Sequence, residues 1–348
     1  MMKELILAHL RSYPLMTGKD IIKLLFQNEF AGGHMIKNSF QTYQYLKQEC
    51  QNLTNKTYQI ESIGNNLVRF YLFNANEIEL YTINQLFVCS SNYYNGSKEN
   101  FIKTLKKLKQ LGLPIDDLNN EINDYLLQVC PVISHSKTYK EIYKPHYRVI
   151  KKELAYYYPI ILEINKLLLN KSEIIIAIDG MCTSGKSTLA NILNMIYDCN
   201  IFHMDDFFLQ PFQRNEKRLN IVGENIDHER FKDEVLIPLS KHEEVRYQRF
   251  NCSKMKLEED IRKISYKNIS IIEGSYSMHS DLIKYYDYKI ALKISSDIQI
   301  KRITKRNGCD LLETFKSTWI PMENDYLKVF NIYEQADVTF DNGEIELE

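Results

Sequence analysis

The stretch GMCTSGKS, residues 180–187, constrains the fold of this chain more than any other. It places glycine at its first and sixth positions, lysine at the seventh and a hydroxyl residue at the eighth. The unbroken apolar run EIIIAID precedes it, and the helix-forming run STLANILNMI continues from Ser187. Gly180 and Gly185 let the backbone turn so that successive N–H groups converge on one spot. The helix that follows adds about half a unit of positive charge at its N-terminus. Together these features predict a phosphate cradle for ATP, built from Gly180, Thr183, Ser184, Gly185, Lys186, Ser187 and Thr188. Lys186 is placed to reach the β- and γ-phosphates, and the Ser187 hydroxyl to ligate Mg2+. A strand feeding such a loop and helix is buried on both faces, so a parallel sheet is expected.

The rest of the second half keeps that rhythm. Apolar runs at 174–179, 199–204, 269–273, 288–295 and 336–341 alternate with polar turns and helical patterns, which predicts five parallel strands. The first 150 residues read differently. Thr17 and Asp20 announce a helix through Phe30, and a second helix starts at Ser39. Two β-rich runs flank Gly64-Asn65-Asn66 as a hairpin, and helical patterns resume from Glu77, over Ser97–Leu111 and over Asp116–Val129. From Tyr139 to Asn170 the pattern is helical and aromatic, interrupted at Pro159. Three segments follow: a mostly helical α+β module over 1–150, a helical bridge over 151–170, and a phosphate-binding domain over 171–348.

A chain of 348 residues is long for one core, in keeping with two domains. The net charge of −1 gives no general attraction for nucleic acid or anionic membrane. Seven scattered cysteines without a C-x-x-C pair argue against a disulfide framework or a zinc site. No apolar run approaches the roughly 20 residues that span a bilayer, and the charged N-terminus lacks the form of a signal peptide. A cytoplasmic protein acting on a small molecule is expected, with homo-oligomerisation left open.

Two strand ends carry carboxylates. HMDDFF, residues 203–208, places Asp205 and Asp206 after the second apolar run, and SIIEGSY, residues 270–276, ends the third run in Glu273. Ligands bind at the carboxyl edge of such sheets, where one aspartate can take a proton from an attacking hydroxyl. Successive residues leaving a strand point to opposite sides, so only one of the pair faces a given phosphate. Strand geometry alone does not choose between them. Glu273 is placed to hold Mg2+ opposite Ser187.

GMCTSGKSTLA followed by HMDDFFLQP resembles the uridine kinase/phosphoribulokinase superfamily, and within it the nicotinamide riboside kinases, over about residues 172–342. The resemblance implies an α/β P-loop kinase domain with a parallel five-stranded sheet flanked by helices, here preceded by the helical α+β domain. It makes Asp205 the catalytic base and Glu273 the Mg2+ ligand. NIDHERF matches the place where such kinases bind ribose hydroxyls, which implicates Asp227, although aspartate is equally a favoured helix cap. SSDIQIKRITKRNG, a helix ending at Asn307-Gly308, matches their lid and makes Arg302 and Arg306 the clamp over the transferring phosphate. WIPMENDY downstream is similar to the W-P-x-Y stretch that follows that lid. RYQRFNC lies where the family places an arm over the acceptor, so Tyr247 and Phe250 are candidates to stack on it.

The implied activity is ATP-dependent transfer of a phosphoryl group to a small-molecule hydroxyl, the 5′-OH of a nucleoside or riboside. Two alternatives stay open: a kinase of another metabolite such as pantothenate, and a nucleotide-dependent regulator that phosphorylates nothing. His34, His135 and His146 in the first half lack ligand spacing and read as hydrogen-bonded structural residues. His279 is placed equally well in a pocket or on the surface. The first module is expected to shape substrate access or assembly.

Overall fold

Four helices of the first half begin at capping side chains in the computed structural model, which describes residues 2–343. Asp20 accepts from the Thr17 N–H and hydroxyl (3.1 and 3.0 Å) at the start of helix Gly18–Phe30. Asn38 caps Ser39–Cys50, Asn76 and Glu79 form a reciprocal capping box before Glu77–Asn92, and Ser97 caps Lys98–Leu108. Gln59–Gly64 (β1) and Leu67–Tyr71 (β2) form the antiparallel hairpin around Asn65 and Asn66, both at positive φ.

One expectation fails here. Tyr147–Lys151, read from sequence as helical, is a third strand (β3) paired antiparallel with β2. β2 is buried from Leu67 to Phe70, so its second edge needs a backbone partner, and the run Tyr-Arg-Val-Ile suits a pleated surface. Helices Lys152–Tyr156 and Tyr158–Leu168 follow, with Pro159 in the first turn of the second.

Residues Met1–Asn165 and Lys166–Glu348 form two separate units. The first has a polar centre. Arg69, 0% exposed, donates to Gln27 and Glu61, while His135 bridges Asp20 (3.0 Å) and Tyr147. Burial pushes His135 down to about 4. Burial would raise Asp20, but bonds from His135, Ser136 and Thr17 bring it down to about 2. At neutral pH the pair is therefore a carboxylate and a neutral imidazole. His146 bonds Glu49 at 2.9 Å, and burial depresses His34 to about 4. All three histidines sit in structural settings.

The second unit carries the five expected strands. Ile174–Gly180 (β4), Cys199–His203 (β5), Ile269–Glu273 (β8), Tyr288–Lys293 (β9) and Val338–Asp341 (β10) form one parallel sheet in the order β10-β9-β4-β8-β5. Val245–Asn251 (β6) and Lys256–Ile264 (β7) form a separate antiparallel hairpin. Ile176, Ala177, Ile178, Ile271, Ile272, Phe202 and Ile290 are fully buried, as strands covered on both faces require. Helix Lys186–Ile196 packs against β4, β5 and β8.

Register decides what meets at the sheet's carboxyl edge. Glu273 lies opposite Ile178 on one side and His203 on the other, so the three strand ends are level. At Gly180 φ is 133°, and a Cβ there would stand 2.0 Å from the Leu292 carbonyl oxygen. We expect Gly180→Ala to lose about 3 kcal/mol of stability, read by urea or thermal unfolding. The helix Ser296–Thr314 departs from helical geometry at Gly308 (φ 78°, ψ 175°) and resumes at once. The expected stop is thus a kink rather than an end. Among the described residues no helix is long and apolar enough to cross a membrane.

Candidate active site

The loop between β4 and helix Lys186–Ile196 is fastened by its carbonyl groups. Arg302 donates to Thr183 O (3.2 Å), Asn342 to Ser184 O (2.6 Å), and Lys186 Nζ to Gly180 O and Met181 O (both 2.9 Å). With carbonyls drawn outward, the N–H groups of the helix's first turn stay free for a ligand, because they have no intrahelical acceptor. Gly185 (φ 98°) and Thr183 (φ 58°) supply the left-handed turns. Behind the loop, the fully buried Asp179 accepts from Gly180 N–H (2.6 Å), Met278 N–H (2.8 Å) and Tyr326 OH (2.7 Å).

Oxygen and charge converge in front of the loop. The Ser187 hydroxyl lies 3.1 Å from both Glu273 oxygens, and His203 Nδ1 bonds Glu273 Oε1. That bond raises the His203 pKa above its ordinary value, although burial opposes it. Glu273 is 5% exposed and ends its strand at Gly274 (φ 141°), where a Cβ would stand 2.7 Å from Met204 Cβ. This close approach sets Glu273 beside the turn Met204–Phe207.

The two aspartates of that turn part company. Asp205 faces the cleft, and its carboxylate has no hydrogen-bond partner among the described residues. Its pKa is raised chiefly by desolvation in the cleft floor; Lys186 opposes the shift and Glu273 adds to it. Asp206 instead accepts from Tyr247 OH (3.1 Å), and its backbone carbonyl accepts from Arg230 (2.8 Å). Burial raises its pKa too, against the Tyr247 bond.

A cleft of about 820 Å³ gathers Thr183, Gly185, Lys186, Ser187, Thr188, Asp205, Phe250, Glu273, Arg302 and Arg306. Gly180 and Ser184 lie behind it as loop framework; Ser184 is fully buried. Arg302 reaches both Thr183 O and Asn342 O (2.9 Å), so here it fastens the loop. Arg306 is exposed, lies over the Phe315 ring and bonds Asn307.

Two expected substrate residues do not reach the cleft wall. Tyr247 is 2% exposed and packs in the core beside Phe207 (ring centroids 5.0 Å) and Phe202, where burial pushes its hydroxyl up to about 12. Strand alternation turns Tyr247 inward, and its hydroxyl serves Asp206. Asp227 is 4% exposed, caps helix His228–Phe231 through Arg230 N–H (3.1 Å) and accepts from Gln213 (2.8 Å). Asp227→Ala is expected to lose about 1–2 kcal/mol of stability, measured by denaturant unfolding. His279 is likewise neither in this cleft nor on the surface. It is buried and stacked on His228 (centroids 4.2 Å).

Sequence reasoning missed Glu323, His203 and Ser275. Glu323 accepts from Cys182 N–H (2.8 Å) and the Ser275 hydroxyl (2.7 Å), which ties helix Ile320–Val329 to the loop. Its one sequence signal is the i, i+3 spacing to the fully buried Tyr326, which puts an acid on the helix's inward face.

No protein-family model matches the chain, and no curated protein sequence matches it. Solved structures do. A protein described as a possible uridine kinase from Bacillus stearothermophilus shares 21% identity over 51% of this chain and 94% of its own, with a TM-score of 0.38. Shikimate kinase from Bacteroides thetaiotaomicron shares 14% over 50% and 90%, with a TM-score of 0.29. D-glycerate 3-kinase from Cryptococcus neoformans shares 12% over 45% and 80%, with a TM-score of 0.35.

Proposed function

We propose that residues 166–348 form an ATP-dependent kinase that moves the γ-phosphoryl group to a hydroxyl of a small molecule. One observation carries this reading. A carboxylate with no hydrogen bond among the described residues, Asp205, shares a cleft with a phosphate-binding loop and with the Ser187–Glu273 oxygen pair. A nucleotide switch needs the loop and the oxygen pair, but it has no use for a free base facing them.

In this mechanism the loop amides and Lys186 hold the β- and γ-phosphates, and Asp205 accepts the acceptor's hydroxyl proton as its oxygen attacks phosphorus in line. The γ-phosphorus bond to the bridging oxygen breaks, and ADP leaves with its new charge facing Lys186 and the helix N-terminus. Ser187 Oγ and the Glu273 carboxylate are hard oxygen donors on one side of the loop, a set that fits Mg2+. Bound there, the ion would neutralise charge between the β- and γ-phosphates. His203 and the Ser187 hydroxyl orient Glu273 for that task. Arg306 closes over the transferring group, and the Phe208 and Phe250 rings give the acceptor an apolar wall. The riboside 5′-hydroxyl rests on the DDFF and WIPMENDY motifs.

The test is ADP release, in the presence of ATP and Mg2+, against uridine, cytidine, adenosine, nicotinamide riboside and pantothenate. Acceptor-dependent ADP with a phosphorylated product supports the kinase. Nucleotide binding with no acceptor-dependent turnover would leave the regulator reading in its place. We assign residues 1–165 a modulating role; an isolated 166–348 unit with unchanged substrate range and rate would remove it.

A further inference from the structure

Four arginines on the segments that flank the cleft, none of them in its lining, are paired with carboxylates. Arg218 lies within 3.2 Å of Glu224 and 2.6 Å of Glu229; Arg230 within 3.8 Å of Asp227 and 3.5 Å of Glu234. Arg246 pairs with Glu244 at 2.7 Å and Arg249 with Glu258 at 2.8 Å. Arg214 breaks the pattern. It is exposed and lines the same cleft as Asp205, as Arg302 and Arg306 do, and its guanidinium has no carboxylate or hydrogen-bond partner among the described residues.

Its backbone, by contrast, is tied down on both sides. Gln213 bonds Gln210 N–H (2.9 Å) and Asp227 (2.8 Å), while Asn215 caps the next turn through Arg218 N–H (2.9 Å). A fixed backbone presents the side chain to the cleft rather than letting the loop wander. Phe250, Cys252 and Met255 of the β6–β7 hairpin line the same cleft, and the Cys252 thiol feels both Asp205 and Arg214. Lys186, not Arg214, is the main charge holding Asp205 ionised.

A guanidinium left without a partner beside a catalytic carboxylate is matched by an anionic group on the bound molecule, since its planar donors fit carboxylate and phosphate oxygens in pairs. We infer that the acceptor carries a carboxylate or phosphate in addition to its reacting hydroxyl, and that Arg214 binds it. This rests on the kinase reading above and narrows it: uncharged nucleosides become poor acceptors, and hydroxy acids or phosphorylated sugars good ones.

The experiment uses the full chain and matched acceptors that differ only in the anionic group. Pantothenate is compared with pantothenol, nicotinate riboside with nicotinamide riboside, and ribose 5-phosphate with 5-deoxyribose, which has no 5-hydroxyl of its own to react. The first two pairs test a carboxylate, and the third a phosphate. In at least one pair, kcat/KM is expected to favour the anionic member by about 10- to 100-fold. Arg214→Gln should erase that preference by raising the acceptor KM, and Arg214→Lys should restore part of it. Turnover that is equal within each pair, or better with the member that lacks the anionic group, overturns the inference and leaves the kinase standing. A rise confined to the KM for ATP also overturns it, by giving Arg214 to the nucleotide. No acceptor-dependent ADP from any member, nor from uridine, cytidine or adenosine, removes the kinase reading itself.

Discussion

Asp205→Asn lowers kcat by about 10²- to 10⁴-fold while the KM for ATP stays within a few-fold of the parent. The amide keeps the size and the cleft position but cannot take a proton. Asp206→Asn is the control. Its amide oxygen can still accept from Tyr247, so activity should remain within about tenfold. Loss of turnover in the second variant alone would transfer the base to Asp206. The same group sets a pH profile. Asp205 is exposed to the cleft and must be ionised to act; desolvation by the surrounding cleft walls holds its pKa above the ordinary 3.8, so kcat falls with acid at a midpoint above that value.

Stability runs the other way. The folded state holds this proton more tightly than the unfolded chain. The carboxyl's contribution is therefore full below 3.8 and lost as pH rises through the raised folded value. Asp205→Asn is therefore expected to melt higher than the parent at pH 7, with the gap narrowing towards acid. Scanning calorimetry at both pH values reads it, and equal melting points at pH 7 would mean that Asp205 is not strained by its setting.

Lys186→Met carries the second large effect, a fall of about 10³-fold in kcat/KM. Three losses combine. The charge facing the transferring phosphate disappears. So do the donations to Gly180 O and Met181 O that help set the loop's curvature. The largest attraction favouring the Asp205 carboxylate goes as well, which moves the base further up. Arginine should not rescue, because a planar fork cannot replace a compact ammonium between two loop carbonyls. Stopped assays of ADP and isothermal titration of ATP separate lost chemistry from lost binding. Unchanged ATP affinity together with unchanged turnover would remove Lys186 from the site.

Much of the second unit was legible because its signals are local. The glycines at 180 and 185 are needed wherever a backbone must turn at positive φ against a neighbour, and that need is written in the chain itself. In the first unit the helices from Glu77 and over Ser97–Leu111 were readable from their pattern, and their caps at Asn76 and Ser97 are equally local, since a cap bonds a residue three places on. β3 was not readable. Its strand state comes from β2, about eighty residues earlier in the chain, whose buried edge needs pairing. Tyr247 failed in another way. An aromatic residue in an arm fits the core and a ligand equally well, and only packing against Phe207 settled it.

The sequence by itself determined the loop, its strand and helix, and the residue types that can meet phosphate and metal, because these depend on neighbours in the chain. Only the tertiary structure separated Asp205 from Asp206, levelled His203 with Glu273, tied Glu323 to the loop and left Arg214 without a partner among the described residues. Those outcomes follow from strand register and from which charges are already paired, and both are set by residues far apart in the chain.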